Sequence, residues 1–348
     1  MITGLNRWAR VLGLALVGAL MLVPVGCSVN PATGERAFMI YSWDQEKEMG
    51  ASASAGLAEQ FGGEVEAEIP SDYVVEVGMK LVQGVEEGVP ELDWEFTLLN
   101  TDVINAFALP GGKIFFTRGL AERLSDEAEM AGVLGHEIGH VTARHGNQRM
   151  SKQIGFNVLL AGAAVAVGTS GSDSDVRKYG QVAIPGMAIG GNLVLLKYGR
   201  DDESEADMLG MRYMERAGYD PSGQLRVMEV LQAASDGPRP IEWLATHPFP
   251  ETRIERIESI LAEQYPNAGD RSVYVINSVE YQQKMLNPLS RLAPARCPGV
   301  VARFPRALVR ALPGGRVGGV IHGSAWGLMR KTAAILPTIS PTTRIAAG

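Results

Sequence analysis

The string His136-Glu137-Ile138-Gly139-His140 sets two imidazoles four residues apart with a carboxylate beside the first. On a helix, residues four apart lie one turn apart on the same face, so both rings can reach one ion. The flanking Met130, Val133, Leu134, Ile138 and Val141 are apolar. They bury the histidines at least in part, and buried His and Glu need partners. The chemistry open to this trio is metal-assisted hydrolysis, with zinc activating a water and Glu137 taking its proton. The competing reading is a surface helix with incidental histidines.

A catalytic zinc site needs three protein ligands and one open position. His145 is the nearest candidate for the third. It falls nine residues after His136, about 180° around a continuing helix, and is therefore read as a surface or helix-end residue. Glu203 is the better candidate. Glu203 and Asp207 are again four apart and open a second helical segment, Arg200 to Ala217. One carboxylate can bind zinc while the other accepts a ring N–H from a ligating histidine. Read alone, Arg200-Asp201-Asp202-Glu203 is better taken as a solvated acidic first turn favoured by the helix dipole; paired with the His136–His140 motif, the metal reading gains.

The elements that must position these residues follow from periodicity and punctuation. Asp44 to Glu59 reads as a helix with Met49, Ala53 and Leu57 on one stripe. Ser71 to Val85 reads as a second, with Val74, Val77, Met79, Leu81 and Val82 apolar. Strands are expected over Trp94 to Leu99, Asn105 to Leu109 and Lys113 to Thr117, the last two joined by Pro110-Gly111-Gly112. Ser125 can cap the His136 helix, which is expected to run to about Arg144 with Gly146 at C′. Phe156 to Gly168 reads as a buried helix, Gly168 to Asp175 as a polar loop, and apolar sequence resumes at Val182 to Leu196. Helices are expected over Pro221 to Ala234 and Pro250 to Gln264. The expected fold class is α+β, mainly helical, with a small β-sheet.

The chain has 348 residues, 46% apolar and 20% charged, enough for one substantial domain with extensions. Its net charge is −7, but residues 287–348 hold nine Lys/Arg and no acid, leaving −16 on the rest. That acidic body argues against nucleic acid as a partner. Arg7 and Arg10 followed by apolar Val11 to Val25 make a signal-like segment, too short to span a bilayer. Gly26-Cys27 at its end resembles a bacterial lipobox, although Pro24 occupies a position usually held by Leu. This predicts lipidation of Cys27; the alternative is an ordinary signal peptide or short anchor with a chance cysteine. Ser28 after it, in place of Asp, points to the outer membrane. With only Cys297 besides, no cysteine-ligated metal site exists.

Taken together, HEIGH, Glu203-x-x-Ala206-Asp207 and Thr246-His247-Pro248 resemble the gluzincin zinc peptidases that include the CAAX prenyl endopeptidases. The closest resemblance is to the periplasmic and lipoprotein bacterial branch, the BepA type. Asn105-Ala106-Phe107-Ala108-Leu109-Pro110-Gly111-Gly112, Phe116-Thr117-Arg118-Gly119-Leu120 and the Cys27-Ser28-Val29-Asn30-Pro31-Ala32-Thr33-Gly34 start agree. The resemblance covers roughly Cys27 to Leu261. It implies one Zn2+ held by His136, His140 and Glu203, with Glu137 as general base and Asp207 supporting a ligand. It also matches His247 to a histidine that either stabilises the oxyanion or caps the zinc, and Arg253 to a nearby arginine. The strand bearing Asn105, Ala106 and Phe107 is a candidate for backbone pairing with an extended substrate, or simply a core or edge strand.

The resulting division is a lipoprotein-type signal peptide (1–26), an N-terminal linker and helix (27–70), a zinc metallopeptidase domain (71–265) and a basic low-complexity extension (266–348). The expected activity is an endopeptidase of the bacterial periplasm, lipid-anchored at the membrane, acting on misfolded or misassembled envelope proteins. The alternative is a zinc-containing, non-proteolytic assembly factor or holdase. The tail is read as a basic extension or a frameshifted terminus, with attachment to an anionic membrane as a further reading. Trimming of prenylated proteins inside a membrane is disfavoured, because no run beyond the N-terminus reaches 18 uninterrupted apolar residues.

Overall fold

In the computed structural model of the protein, residues 27–166, 197–235, 241–248 and 250–296 are described. The expectations for 1–26, for the 168–175 loop, for the apolar 182–196 run and for 297–348 lie outside these residues.

The chain begins with a short hairpin, β1 (Cys27–Val29) against β2 (Arg36–Phe38). The segment read as a linker is its loop, closed by Asn30 N donating to Glu35 O. Helix α1 (Trp43–Gln60) starts on a reciprocal cap between Ser42 and Gln45. Helix α2 (Glu68–Val82) buries Tyr73, Val74, Val77 and Leu81 at helical spacing, while Met79 faces out.

Strands β3 (Glu95–Leu99), β4 (Ala106–Leu109) and β5 (Lys113–Thr117) form one sheet in the order β3-β5-β4. The β3–β5 pair is parallel and β4–β5 antiparallel, with Phe107 opposite Phe115. Gly111 and Gly112 take φ of 81° and 96°, which closes the turn between β4 and β5. Among the described residues, no strand pairs with the outer edge of β4.

A short α3 (Arg118–Ala121) leads to α4 (Glu127–Thr142), every residue of which is buried. The cap of α4 is Asp126, not Ser125. Its carboxylate accepts from Glu129 N, and Glu129 accepts from Ser125 N in return. The helix also ends earlier than its periodicity suggests. Arg144, not Gly146, takes the left-handed conformation (φ 59°), and α5 (His145–Ala166) starts directly after it. A non-glycine residue there costs about 1–2 kcal/mol. Arg144 is held by Glu46 on α1 (Nε to Oε1, 2.8 Å), by Tyr41 O (2.6 Å) and by the face of Trp43. Helix α5 departs from the buried helix expected from Phe156 onward, since Phe156 and Leu159 are both exposed.

Helix α6 (Arg200–Arg216) meets α4 at a seam where Gly135, Gly139 and Gly210 bring the two backbones together. A Cβ on Gly139 would lie 2.8 Å from Ala206 O, and one on Gly210 would lie 2.9 Å from His136 N. Helices α7 (Gly223–Ser235), α8 (Glu242–Thr246) and α9 (Pro250–Gln264) complete the shell around α4. Residues Ser278–Ser290, which composition assigns to an extension, form helical turns that bury Tyr281, Met285 and Leu289 in the core. Arg118 ties this stretch down by donating to Leu289 O (3.0 Å) and Ala293 O (2.7 Å). No described helix is long and apolar enough to cross a membrane.

Candidate metal centre

The glycine seam decides the geometry. With α4 and α6 in backbone contact, a side chain as short as Glu203 reaches the His136–His140 face. Glu203 Oε2 lies 3.5 Å from His136 Nε2, and Oε1 lies 3.6 Å from His140 Nε2. The two ring nitrogens are 3.0 Å apart. His247, which ends α8, adds Nδ1 at 3.2 Å from His136 Nε2 and 3.1 Å from Glu203 Oε1. Its ring stacks on Trp243 (centroids 4.7 Å apart, 19° between planes). The four buried residues His136, His140, Glu203 and His247 each aim one donor atom at a common point, all within 4.8 Å of one another.

Proton accounting shows why a cation fits here. Asp207 Oδ1 lies 2.9 Å from His136 Nδ1, and a carboxylate only accepts, so His136 Nδ1 carries the hydrogen. Its Nε2 is then a bare lone pair facing two other imidazole nitrogens and a carboxylate. Among the described residues, Glu137 Oε1 is buried without a hydrogen-bond partner, and Glu203 Oε2 has the Arg253 guanidinium as its ion-pair partner. Lone pairs and carboxylate oxygens that converge on one point repel unless a positive ion sits among them. A set of imidazole and carboxylate donors is what zinc takes.

Asp207 is the best-supported acid in the cluster. It accepts from Arg253 Nε (2.8 Å) and Gln224 Nε2 (2.8 Å) as well as from His136. Burial alone would raise its pKa, but Arg253 and the His136 hydrogen bond outweigh it and hold the carboxyl well below the usual range. Arg253 also reaches Glu203, with Nη1 2.7 Å from Oε2, an ion pair that does not close a hydrogen bond. Burial pushes the Glu203 carboxyl up to about 7 against the pull of Arg253. Burial likewise pushes Glu137 up to about 7, opposed by His247, whose Nε2 is 3.5 Å from Oε1. His136 and His247 are each held down to about 4, mainly by burial, so both rings stay neutral near pH 7. A base with a pKa near 7 beside neutral imidazoles is suited to accepting a proton at neutral pH.

His145 corrects the sequence reading. It sits at a helix end, as expected, but it is buried. Its Nδ1 lies 2.9 Å from His140 Nδ1 and its Nε2 lies 3.0 Å from Glu205 Oε2. The left-handed turn at Arg144 swings it back toward His140. Sequence reasoning also passed over Tyr198, which stacks on the His140 ring (3.9 Å, 23°), and Trp243, which flanks His136 and His247. No motif signal marks either. The strand candidates divide. Ala106 and Phe107 point their side chains into the core, which leaves their backbone as the part able to meet a ligand. Asn105 is buried, and its Oδ1 has no hydrogen-bond partner among the described residues. A pocket beside β4 is lined by Ala108, Leu109 and Pro110 together with His140 and Tyr198.

Comparison with known proteins agrees with this chemistry. The model of Peptidase family M48 matches residues 69–261. The chain is 27% identical over 261 residues to the mitochondrial metalloendopeptidase OMA1 of Schizosaccharomyces pombe, covering 74% of this chain and 73% of that protein. It is 30% identical over 190 residues to the beta-barrel assembly-enhancing protease of Escherichia coli, covering 53% of this chain but 37% of that protein. The human mitochondrial OMA1 is 24% identical over 270 residues, covering 74% of this chain and 51% of the human protein. This chain thus spans well under half of the bacterial relative's length. With more than half of its residues matched by the family model and a buried donor set that suits the family's zinc, the chain belongs to peptidase family M48, the zinc metalloendopeptidases.

Proposed function

We propose that His136, His140 and Glu203 hold one zinc ion and that Glu137 is the general base of an endopeptidase acting on misfolded or misassembled cell-envelope proteins. The observation that supports the site assignment is the convergence of buried imidazole nitrogens and a carboxylate from α4 and α6 on one point, with Glu137 Oε1 beside them. Zinc held there supplies Lewis-acid activation of water and of the scissile carbonyl. Glu137 Oε1 accepts the proton of the attacking water and passes it to the leaving amide nitrogen. Asp207, fixed by Arg253 and Gln224, keeps the hydrogen on His136 Nδ1 and so keeps Nε2 free. His247 stands among the ligand atoms, which favours a resting cap that withdraws when substrate enters; once displaced, its ring can donate to the tetrahedral oxygen.

The outer edge of β4, which no described strand pairs with, supports extended, sequence-tolerant binding through the backbone of Ala106 and Phe107, with Asn105 at its start. Envelope substrates are supported by the name of the bacterial relatives and by the signal-like segment ending at Cys27. We read Cys27 as the lipidated residue and the periplasmic face of the outer membrane as the location. Degradation of casein and of an unfolded outer-membrane protein by purified protein tests the assignment. Glu137→Gln is expected to slow both by about 10²–10⁴-fold. Equal cleavage by the two forms sinks it.

A further inference from the structure

We propose that His145 and Glu205 are positioning residues for His140, forming a relay that dictates which nitrogen of that ring is free for the metal. The inference rests on the reading of His140 as a zinc ligand. Glu205 Oε2 is 3.0 Å from His145 Nε2, and His145 Nδ1 is 2.9 Å from His140 Nδ1. A carboxylate can only accept, so His145 Nε2 carries hydrogen. A His140 ligating through Nε2 keeps its own hydrogen on Nδ1, so the facing His145 Nδ1 has to be bare and accept. His140 Nδ1 then donates, and His140 Nε2 stays bare. That nitrogen is the one turned toward His136 Nε2 and Glu203 Oε1.

The opposite direction fails at its first link. Hydrogen on His145 Nδ1 would turn the Nε2 lone pair of a neutral ring toward the Glu205 carboxylate. Nor can solvent or rotation readily substitute for the relay. His145 is 1% exposed, and the Tyr198 ring lies flat on His140. The two histidines of the motif are therefore oriented differently. His136 meets its carboxylate, Asp207, directly, whereas His140 meets Glu205 through an intervening ring. Glu205 stands two residues from both Glu203 and Asp207 on α6, about 200° around the helix from each neighbour in turn. One stretch of α6 thus carries a candidate ligand and, on its opposite flanks, the two acids that orient the imidazoles.

Long-range 1H–15N spectra of the full chain, zinc-loaded and labelled at histidine nitrogen, test this without any variant. The expected pattern is hydrogen on His140 Nδ1, zinc-shifted resonance at His140 Nε2, and His145 protonated at Nε2 and bare at Nδ1. Hydrogen on His145 Nδ1 while zinc sits on His140 Nε2 overturns the relay alone. Absence of any zinc-dependent shift at His140 overturns the ligand assignment beneath it. Variants give a second readout, zinc affinity by chelator competition. His145→Phe removes the acceptor and is expected to weaken zinc about 10–100-fold. His145→Asn places an oxygen near the position of Nδ1 and restores most of the loss. Glu205→Ala, at a partly exposed position that tolerates truncation, frees the His145 tautomer and gives a smaller loss in the same direction. It decides the matter with the wild-type spectrum if the Phe variant does not fold. Wild-type affinity in all three variants overturns the proposal.

Discussion

The same substitution, Gly to Ala, is expected to act with opposite sign at two helical positions. At Gly139 the new Cβ meets Ala206 O at 2.8 Å and Ala206 Cα at 3.1 Å. Both are backbone atoms of the facing helix, so no rotamer change relieves the contact and α4 and α6 must move apart. Overpacking of this kind costs about 1–3 kcal/mol, and a clash with backbone belongs in the upper half of that range. Better helix propensity returns about 1 kcal/mol. The net loss is about 1–2 kcal/mol, or roughly 2–8 °C in Tm for a domain of this size. At Gly56, in α1, nothing lies within 4 Å, so Ala there should stabilise by about 0.5–1 kcal/mol. Scanning calorimetry of both variants gives the signs. Glu203 rides on α6, so Gly139→Ala should also lose zinc and roughly tenfold or more in peptidase rate while still fully folded. A Gly139→Ala protein with raised Tm and full zinc content would refute the seam as the element that sets the ligand distances.

Arg144→Met should strand the Glu46 carboxylate, which burial already raises in pKa against the pull of Arg144. Losing one partner of a buried pair costs about 3–5 kcal/mol, readable by urea titration, and Glu46→Gln in the same chain should recover part of it. Arg118→Ala should loosen residues 278–296 and open them to limited proteolysis while the helices around α4 remain resistant. Asp220 is held below the usual carboxylate range: burial raises its pKa, but hydrogen bonds from Ser222, Gly269 and Arg226 outweigh it. Its contribution is therefore present above about pH 4, its ordinary value, and is lost as the pH falls through the depressed one. Asp220→Asn should flatten the fall of Tm below pH 4 and leave its pH dependence above pH 5 unchanged.

Much of the architecture was readable because it rests on local rules. Lys113–Thr117, Arg200–Arg216 and Pro250–Gln264 fall where periodicity and capping residues place them. The His136–His140 pair was legible from spacing alone. Glu203 was legible only as a candidate, from its spacing to Asp207 and its pairing with the His136–His140 motif, since its reach depends on Gly139 and Gly210 meeting across two helices. The misreading of His145 has one cause. A helix continued through Arg144 puts His145 on the far face, and the left-handed turn that brings it back is paid for by Glu46, 98 residues earlier. Long-range support for a locally unfavourable conformation leaves no trace in the nearby sequence. Composition misplaced 278–290 for a related reason: Tyr281, Met285 and Leu289 make a buried stripe at helical spacing, which a count of charges does not register.

If Cys27 carries lipid, as proposed, the opening hairpin limits how far the metal centre can stand from the membrane. Asn30 donates to Thr142 O at 3.0 Å, joining the loop after β1 to the last turn of α4. Cys27 is three residues from that stitch, about 10 Å of extended chain, and His136 is six residues back along the helix, about 9 Å. An acyl chain on Cys27 would therefore work as a short leash, with no stalk between headgroups and cleft. Polypeptides lying along the bilayer, or emerging from it nearby, would come within range, whereas those drifting in bulk solution would have to come down to the surface first.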